Sequence, residues 1–368
     1  MTKHFPLALL FAAALMLAGQ AFAQRSSDRD PERRTRDDDR NRRGDSRDMR
    51  NDNARDDNAD AVAPEANEPM SQRMLPGPVS TFDSRVNTEI GGALLYELLS
   101  MDDPDLNQDM TGYGLNFTAA LLQRKNKGDD AAWAIAFGGT FLSVGIDASA
   151  DFIEGTGDGM SLAPECDVVF NLGKMSMGGG RVMRGSFWAG LKPTYETFDM
   201  NATMDIPLIG SFDFEAKTTD MSLHFPLGFG LDMPVADVIA IQPQATLELG
   251  YDLQSKEELT VSGTSSEKNT DKNDPDPKIS LGADIVITPD PKGPLVIFFG
   301  PRYNDELWTN DSDNATGPNA TIMADGYAAL GQQSNGLRSC TLGLAASYTL
   351  YERSNTGVQI MLVLKCRF

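Results

Sequence analysis

The sequence is poor in the residues that most often carry chemistry. It contains two histidines, one of them at position 4 and the other at His224, and it contains three widely spaced cysteines. There is no Cys/His cluster for zinc, no phosphate-binding Gly loop and no basic-aromatic patch for nucleic acid. We therefore predict no cofactor, no dedicated metal site and no nucleic-acid partner.

The cysteines, Cys166, Cys340 and Cys366, are too few and too far apart for a disulfide scaffold. An oxidising compartment permits one disulfide among them, which the sequence alone does not assign. All three fall on the apolar side of an alternating pattern. We therefore expect them to act as small hydrophobes.

Long hydrophobic runs are missing after the N-terminus. A short basic start, the apolar run Leu7–Leu17 and the small-x-small site Ala21–Ala23 predict a signal peptide over residues 1–23. No later run reaches the roughly 18 apolar residues of a membrane helix. If the mature chain enters a bilayer, it must do so as a closed barrel.

The acidic charge is unevenly distributed. The formal net charge is −21, yet residues 25–60 hold eleven Arg and twelve Asp or Glu, which almost cancel. This stretch has little to bury and is predicted to be disordered, and the proline-containing residues 61–78 read as a linker. Residues 24–78 then serve as a solvated spacer or as a periplasmic tether to a partner. The acidic remainder disfavours anionic partners and weakly favours divalent cations or cationic solutes.

From residue 79 onward the pattern is that of β-strands. In Met221–Leu231, for example, every odd position is apolar, whereas the even positions include Ser222, His224 and Gly228. Such segments are about 9–14 residues long and often carry an aromatic near one end. A secreted sandwich or a soluble barrel also alternates, but this length and these aromatics favour tilted membrane strands.

The last twelve residues, Gly357–Phe368, alternate in the same way and end on an aromatic. This strand resembles the C-terminal signature of bacterial outer-membrane β-barrels. The resemblance implies an all-β, closed antiparallel up-and-down transmembrane barrel over residues 79–368. It also implies placement in the outer membrane, contact with outer-membrane lipid, and recognition of Phe368 by the barrel-assembly machinery. A periplasmic location is the alternative.

The strand count carries an inconsistency. Our tally gives eleven segments, whereas bacterial single-chain barrels have even numbers. We predict twelve strands, with the missing one in Asn201–Ala216, and keep ten as the reserve if Val86–Leu98 lies outside the barrel or forms a short helix.

The connections between segments differ in length. We predict long loops at one end, at Asp102–Met110, Gly145–Ser161, Asp199–Thr218, Gln254–Pro277 and Asn304–Gly336. We predict short turns at the other end, at Arg124–Asp130, Gly173–Arg181, Asp232–Asp237, Pro289–Pro294 and Glu352–Thr356. Long loops outside and short periplasmic turns are typical of outer-membrane barrels.

The polar side of the strands predicts the function. We expect porin-like passage or binding of small polar solutes through a charged lumen; the alternative is a non-conducting surface-binding or structural barrel with acidic loops. The predicted lumen residues are Glu165, Asp167, Arg184, Lys192, Glu196, Asp220, His224, Gln242, Gln244, Glu248, Asp284, Arg302, Lys365 and Arg367.

Two local patterns suggest further chemistry. Ser222 and His224 share one strand face, as the Ser and His of outer-membrane lipid hydrolases do, but in reverse order and with no identifiable acid. We predict that the protein is not an enzyme and keep a lipid hydrolase as the lesser alternative. Met101–Asp109 offers alternating oxygens, yet the Gly and Glu of a calcium loop are absent, so at most a loose divalent site is expected.

Overall fold

A computed structural model describes residues 73–103, 106–126, 128–150, 153–206, 210–261, 264–270, 275–290, 294–306, 319–330, 339–350 and 356–368. The predicted signal peptide and disordered segment lie outside the described residues. Within the described part of the chain, no helix is long and apolar enough to cross a membrane. The strands are β1 (Thr88–Asp103), β2 (Leu106–Gln123), β3 (Trp133–Ala150), β4 (Ile153–Ser176), β5 (Val182–Ile206), β6 (Gly210–Pro234), β7 (Ile239–Val261), β8 (Thr264–Thr270), β9 (Pro275–Ile287), β10 (Leu295–Glu306), β11 (Asn319–Leu330), β12 (Ser339–Leu350) and β13 (Thr356–Arg367).

The strands close into one antiparallel barrel. Except at β8, each strand pairs with its neighbour in sequence, and the ring closes where β1 pairs with β13. The short strand β8 pairs with the upper part of β7, while the lower part of β7 pairs with β9. Twelve strands therefore form the barrel and β8 extends one hairpin, which confirms the predicted fold and strand number.

The predicted position of the missing strand is wrong. Residues 201–216 contain the facing ends of β5 and β6, whereas the strand overlooked is β11, paired between β10 and β12. Its outward side presents Ile322, Ala324, Gly326 and Ala328, which is too weak an apolar row to be recognised. The segment Val86–Leu98 lies mostly in β1 and is not helical.

The strands extend much further at one end of the barrel than at the other. We call the end with the brief connections the short-turn end and the end with the long strand extensions the tall end. At the short-turn end, β2–β3, β4–β5 and β6–β7 are joined by brief connections, and Phe368 bonds to the start of β1 through its main chain. At the tall end, the predicted long loops are mostly strand: β4 to β7, with 23 to 25 residues each, are the longest strands of the barrel. Because β11 adds a strand, β12 ends and β13 begins at the tall end, with Leu350 opposite Thr356. The expectation of a short turn at the short-turn end is therefore wrong for this pair of strands, although Glu352–Asn355 themselves lie outside the described residues.

The two faces of the barrel wall have opposite character. Adjacent residues of β5 illustrate it: the Phe187 side chain is 39% exposed on the outside, whereas Trp188 is 5% exposed on the inside. Large apolar side chains are exposed on the outer face of most strands, including Trp133, Phe137, Phe141, Leu162, Phe170, Leu191, Phe225, Phe229, Ile285, Phe299, Leu344 and Leu362. The outside is therefore an apolar belt around the barrel.

A segment that precedes β1 fills the lumen at the short-turn end. Residues 73–86, which we call the plug, place Leu75, Val79, Phe82 and Val86 in one buried cluster with inward side chains of β2 to β5, Trp188 among them. A hydrogen bond from Leu75 N to Ser80 O, 2.8 Å, closes a turn within it. Residues 73–78, the described part of the predicted linker, thus lie against the inner wall.

Two cysteines form a disulfide. Cys340 on β12 and Cys366 on β13 face each other directly in the strand register and are joined, with their Cα atoms 4.0 Å apart. The expectation that all three cysteines act as simple hydrophobes is therefore wrong for this pair, because sequence spacing does not reveal strand register. Cys166 is a free, exposed thiol on the outer face.

Candidate functional site

The lumen is the candidate site, because strand pairing directs every predicted lumen residue to the inner face. The side chains of Asp167, His224, Gln242, Asp284 and Arg367 are buried there. The others are partly exposed: Glu165, Arg184, Lys192, Glu196, Asp220, Gln244, Glu248, Arg302 and Lys365. The structure divides most of them into separate polar clusters rather than one continuous network.

The first cluster fixes the plug beside the β1–β13 seam. The buried carboxylate of Glu89 accepts hydrogen bonds from Ser80 N, at 3.2 Å, and from Ser80 Oγ. Lys365 Nζ lies 3.1 Å from Glu89 Oε1, and Arg367 Nε lies 3.9 Å from Oε2. Arg367 Nε also donates to Ser80 Oγ over 3.1 Å. One buried acid therefore joins the plug to two cations of the wall.

The second cluster holds the other end of the plug. Arg73 Nε lies 3.3 Å from Asp232 Oδ2, and Gln242 Nε2 donates to Asp232 Oδ1 over 3.0 Å. Gln242 Nε2 also donates to Met74 O over 2.7 Å. Between the two clusters, Ser186 Oγ donates to the main-chain oxygen of Pro76 over 3.1 Å. The plug is thus anchored by polar contacts at both ends and packed on apolar wall in between.

The third cluster lies beside the plug on the opposite wall. Arg302 donates two hydrogen bonds to Asp284, Nη1 to Oδ1 at 2.8 Å and Nη2 to Oδ2 at 2.6 Å. When the Gln244 amide is oriented with its oxygen toward Arg302, that oxygen accepts a hydrogen bond from Arg302 Nη2 over 2.7 Å. A cavity of about 210 Å³ lies between these residues, Asp325 and the plug. It is small, is lined by polar and apolar residues alike, and is closed on one side by the plug.

The fourth cluster lies closer to the tall end. Ser222 Oγ is 2.7 Å from His224 Nε2 and also hydrogen bonds to Thr194 Oγ1. His224 Nδ1 lies 3.0 Å from Glu248 Oε1, and Lys192 Nζ lies 3.5 Å from Glu248 Oε2. Side chains from β5, β6 and β7 therefore form one chain of contacts across the wall.

The lumen carries more acids than these pairs neutralise. Among the described residues, Asp167 Oδ1 and Asp325 Oδ1 are buried without a hydrogen-bond partner. Asp167 lies two positions from Glu165 on the same inward face of β4. An ionised carboxylate is costly to bury alone, so these groups attract protons or cations.

The tall end reverses the polarity of the wall. Beyond the apolar belt, the inward positions of β3 are Val144, Ile146 and Ala148, all buried, whereas the outward Asp147 and Ser149 are exposed. A concave surface there encloses a volume of about 940 Å³ and is lined by outward polar residues, including Asp147, Glu154, Asp213 and Glu215. This surface is acidic and faces away from the lumen.

Of the oxygen-rich segment Met101–Asp109, residues 101–103 and 106–109 are described and lie in the paired strands β1 and β2. There Ser100 Oγ donates to Asp109 Oδ1 over 2.7 Å. Within the described residues, no group of three or more His, Cys, Asp and Glu side chains is placed to share a metal ion.

Some lumen residues escaped the sequence reasoning. Glu89, Thr194 and Asp325 are inward-facing and central to their clusters, but none was predicted. Glu89 lies at the start of a segment that also reads as a helix, and Asp325 lies in the overlooked strand. The alternation in sequence could have predicted that these residues face inward. It could not have predicted their contacts with other strands, because those contacts depend on strand register.

No protein-family model and no curated protein matches this sequence. Among solved structures, the chain is similar to the translocator domain of the autotransporter NalP from Neisseria meningitidis, with a TM-score of 0.50, 12% identity, and coverage of 77% of this chain and 88% of that one. The beta domain of the Bordetella autotransporter BrkA gives a TM-score of 0.49 at 13% identity, covering 77% and 99%. The Pseudomonas putida toluene transporter TodX gives 0.41 at 9%, covering 76% and 89%.

The similarity to the NalP translocator domain concerns the fold alone. The chain is a closed antiparallel β-barrel of the architecture found in the translocator domain of the autotransporter NalP. Within that class it is a twelve-stranded barrel with a plugged, charged lumen.

Proposed function

We propose that this protein is an outer-membrane β-barrel whose charged lumen binds and passes small polar solutes, with the plug closing the path at the short-turn end. The observation that carries the proposal is the inversion of polarity across the wall. An apolar belt of this extent far exceeds the few hundred Å² that soluble proteins expose, and lipid is the solvent that suits it.

The interior supports solute passage. Lys192, Arg302 and Lys365 each pair with a carboxylate, which leaves other acids facing the lumen and favours polar or cationic solutes over apolar ones. In the orientation usual for such barrels, the short-turn end and Phe368 face the periplasm, where the assembly machinery recognises the last strand.

The plug supports a gated path rather than a permanently open pore. Its polar anchors, Arg73 on Asp232 and Ser80 on Glu89, are separate from the main-chain bonds that close the barrel. The plug is therefore able to leave the lumen without breaking the hydrogen bonds between the strands.

The test is conductance in planar bilayers. Full-length protein is expected to give little steady current, whereas a variant lacking residues 73–83 gives stable single-channel steps and lets small sugars swell liposomes. Folding of both is checked by heat-modifiable gel mobility. A folded deletion variant that passes neither ions nor sugars contradicts the proposal.

That contradicting result leads to a second candidate. The acidic concave surface at the tall end favours a non-conducting barrel that binds a basic partner outside the cell. In that case a lysine-rich peptide binds the folded protein, and Asp213→Asn with Glu215→Gln weakens that binding, while the plug deletion changes neither binding nor conductance.

A further inference from the structure

Ser222, His224 and Glu248 have the arrangement of a nucleophile, a general base and an orienting acid. Ser222 Oγ lies 2.7 Å from His224 Nε2, and the other ring nitrogen, Nδ1, lies 3.0 Å from Glu248 Oε1. The Nδ1–Oε1 direction departs from the ring N–H axis, so Nδ1 makes no aligned hydrogen bond. Catalytic hydrogen bonds commonly tighten only when substrate binds.

Strand register explains how these residues meet. Ser222 and His224 are two positions apart on the inward face of β6, and Glu248 lies diagonally across on β7, opposite Pro226. The β6–β7 register shifts between Met221 and Ser222, so an irregularity occurs beside the serine. Such irregularities often re-aim a side chain next to an active site.

We propose that the lumen contains a serine esterase centre built from these three residues. Ser222 Oγ attacks the carbonyl carbon of a carboxylic ester and passes its proton to His224 Nε2. When the C–O bond breaks, the departing alcohol takes that proton. Water, deprotonated by His224, then releases the acid from Ser222 and restores the hydroxyl.

The neighbouring strand supplies groups for the transition state. Thr194 Oγ1 already contacts Ser222 Oγ, and Lys192 approaches Glu248 from β5. The Thr194 hydroxyl, which is next to Ser222 Oγ, is suited to stabilise the negative charge on the carbonyl oxygen, while Lys192 pairs with the orienting acid.

The face of the wall determines the substrate class. Ser222 and His224 point into the lumen rather than toward lipid, which contradicts the lipid-facing placement that a lipid hydrolase requires. The substrates are therefore water-soluble esters small enough for the lumen, and the activity is independent of whether the plug opens.

The test is the reactivity of Ser222 in the full-length, detergent-solubilised protein. An alkyl fluorophosphonate is expected to modify Ser222, as mapped by mass spectrometry, and p-nitrophenyl acetate is hydrolysed above background. His224→Gln is expected to slow both reactions by at least about 100-fold, and Glu248→Gln by a smaller factor. The matched control is Ser347, an inward serine of β12 that is 8% exposed, and Ser347→Ala is expected to change neither rate.

Folding of each variant is verified by heat-modifiable mobility. Ser222→Ala removes the nucleophile but also the contact with Thr194, so Ser222→Cys serves as a second variant. Iodoacetamide should alkylate the cysteine at position 222, and adding His224→Gln should lower the rate of that alkylation. If Ser222 reacts no faster than Ser347, or if His224→Gln keeps the wild-type rate, the residues form only a structural network and the proposal is wrong.

Discussion

Gly77 of the plug lies against the indole ring of Trp188. A Cβ atom at position 77 would stand 2.8 Å from Trp188 Cζ3, and the backbone there has φ of +106°, which side-chain-bearing residues rarely adopt. The plug therefore approaches the wall more closely than any larger residue at this position allows.

This contact predicts that Gly77→Val loosens the plug. The added side chain collides with Trp188, so the plug is displaced while the barrel hydrogen bonds stay intact. We expect channel openings in planar bilayers to be more frequent than in the wild type. Gly128→Val is the matched control, because Gly128 has a similar φ of +95° in a turn but open space around its Cβ position. Equal opening by both variants would show that the effect is backbone strain and not the plug contact.

Glu89 is expected to be the most sensitive charged residue of the wall. Replacing it with Gln removes the buried negative charge that contacts both Lys365 and Arg367. We expect Glu89→Gln to lower the free energy of unfolding by about 3–5 kcal/mol, measured by guanidinium titration in detergent. Asp199→Asn, which removes an exposed pair with Lys217, should cost less than about 1 kcal/mol. Similar losses in the two variants would argue against the buried cluster.

The disulfide between Cys340 and Cys366 should stabilise the last two strands. Its two cysteines are 26 residues apart in sequence, and cross-links of this kind contribute about 2–4 kcal/mol. We expect the double variant Cys340→Ser/Cys366→Ser to unfold at lower temperature in the heat-modifiability assay and to be insensitive to reductant. Cys166→Ser, which removes the free thiol, is expected to have no effect. A double variant as stable as the wild type would contradict the cross-link.

Asp83 gives the plug a pH dependence. Burial raises the pKa of its carboxyl, but the hydrogen bonds and charge of Arg85 outweigh burial and hold the pKa below its usual 3.8. Folding therefore favours the ionised form. The resulting stability is present above the usual pKa and is lost as the pH falls through the lowered value.

We expect the emission of Trp188, measured with Trp133 and Trp308 replaced by Phe, to shift to the red below about pH 4 as the plug loosens. Asp83→Asn should show a looser plug already at neutral pH. If wild type and Asp83→Asn have the same pH profile, Asp83 does not hold the plug.

The sequence allowed the fold to be predicted because membrane strands repeat one signal. The alternation of apolar and polar residues in Met221–Leu231 and in the terminal strand was sufficient to predict the class of fold. The rule that bacterial single-chain barrels have even strand numbers was sufficient to predict twelve strands. The strand β11 was missed because its large side chain, Tyr327, faces inward, where Gly343 of β12 makes room for it. Apart from Ile322, its outward side offers lipid only small residues.

The plug and the clusters could not be predicted. Residues 73–86 show no alternation of apolar and polar residues. Their conformation depends on contacts with barrel strands that are distant in sequence, so the local sequence does not predict it. Glu248 was predicted to face the lumen, yet its approach to His224 depends on the β6–β7 register, which includes an irregularity. Properties of one strand were readable, whereas contacts between strands were not.

The most direct test of the membrane barrel compares two neighbouring positions of β5 in lipid. One variant keeps Trp188 as its only tryptophan, and the other moves it one position outward by Phe187→Trp with Trp188→Phe. In vesicles of acyl-chain-brominated lipid, the outward tryptophan at position 187 should be strongly quenched and the inward Trp188 should keep its emission. Equal quenching of the two, or stronger quenching of Trp188, would contradict an apolar outer face in lipid around a plugged lumen.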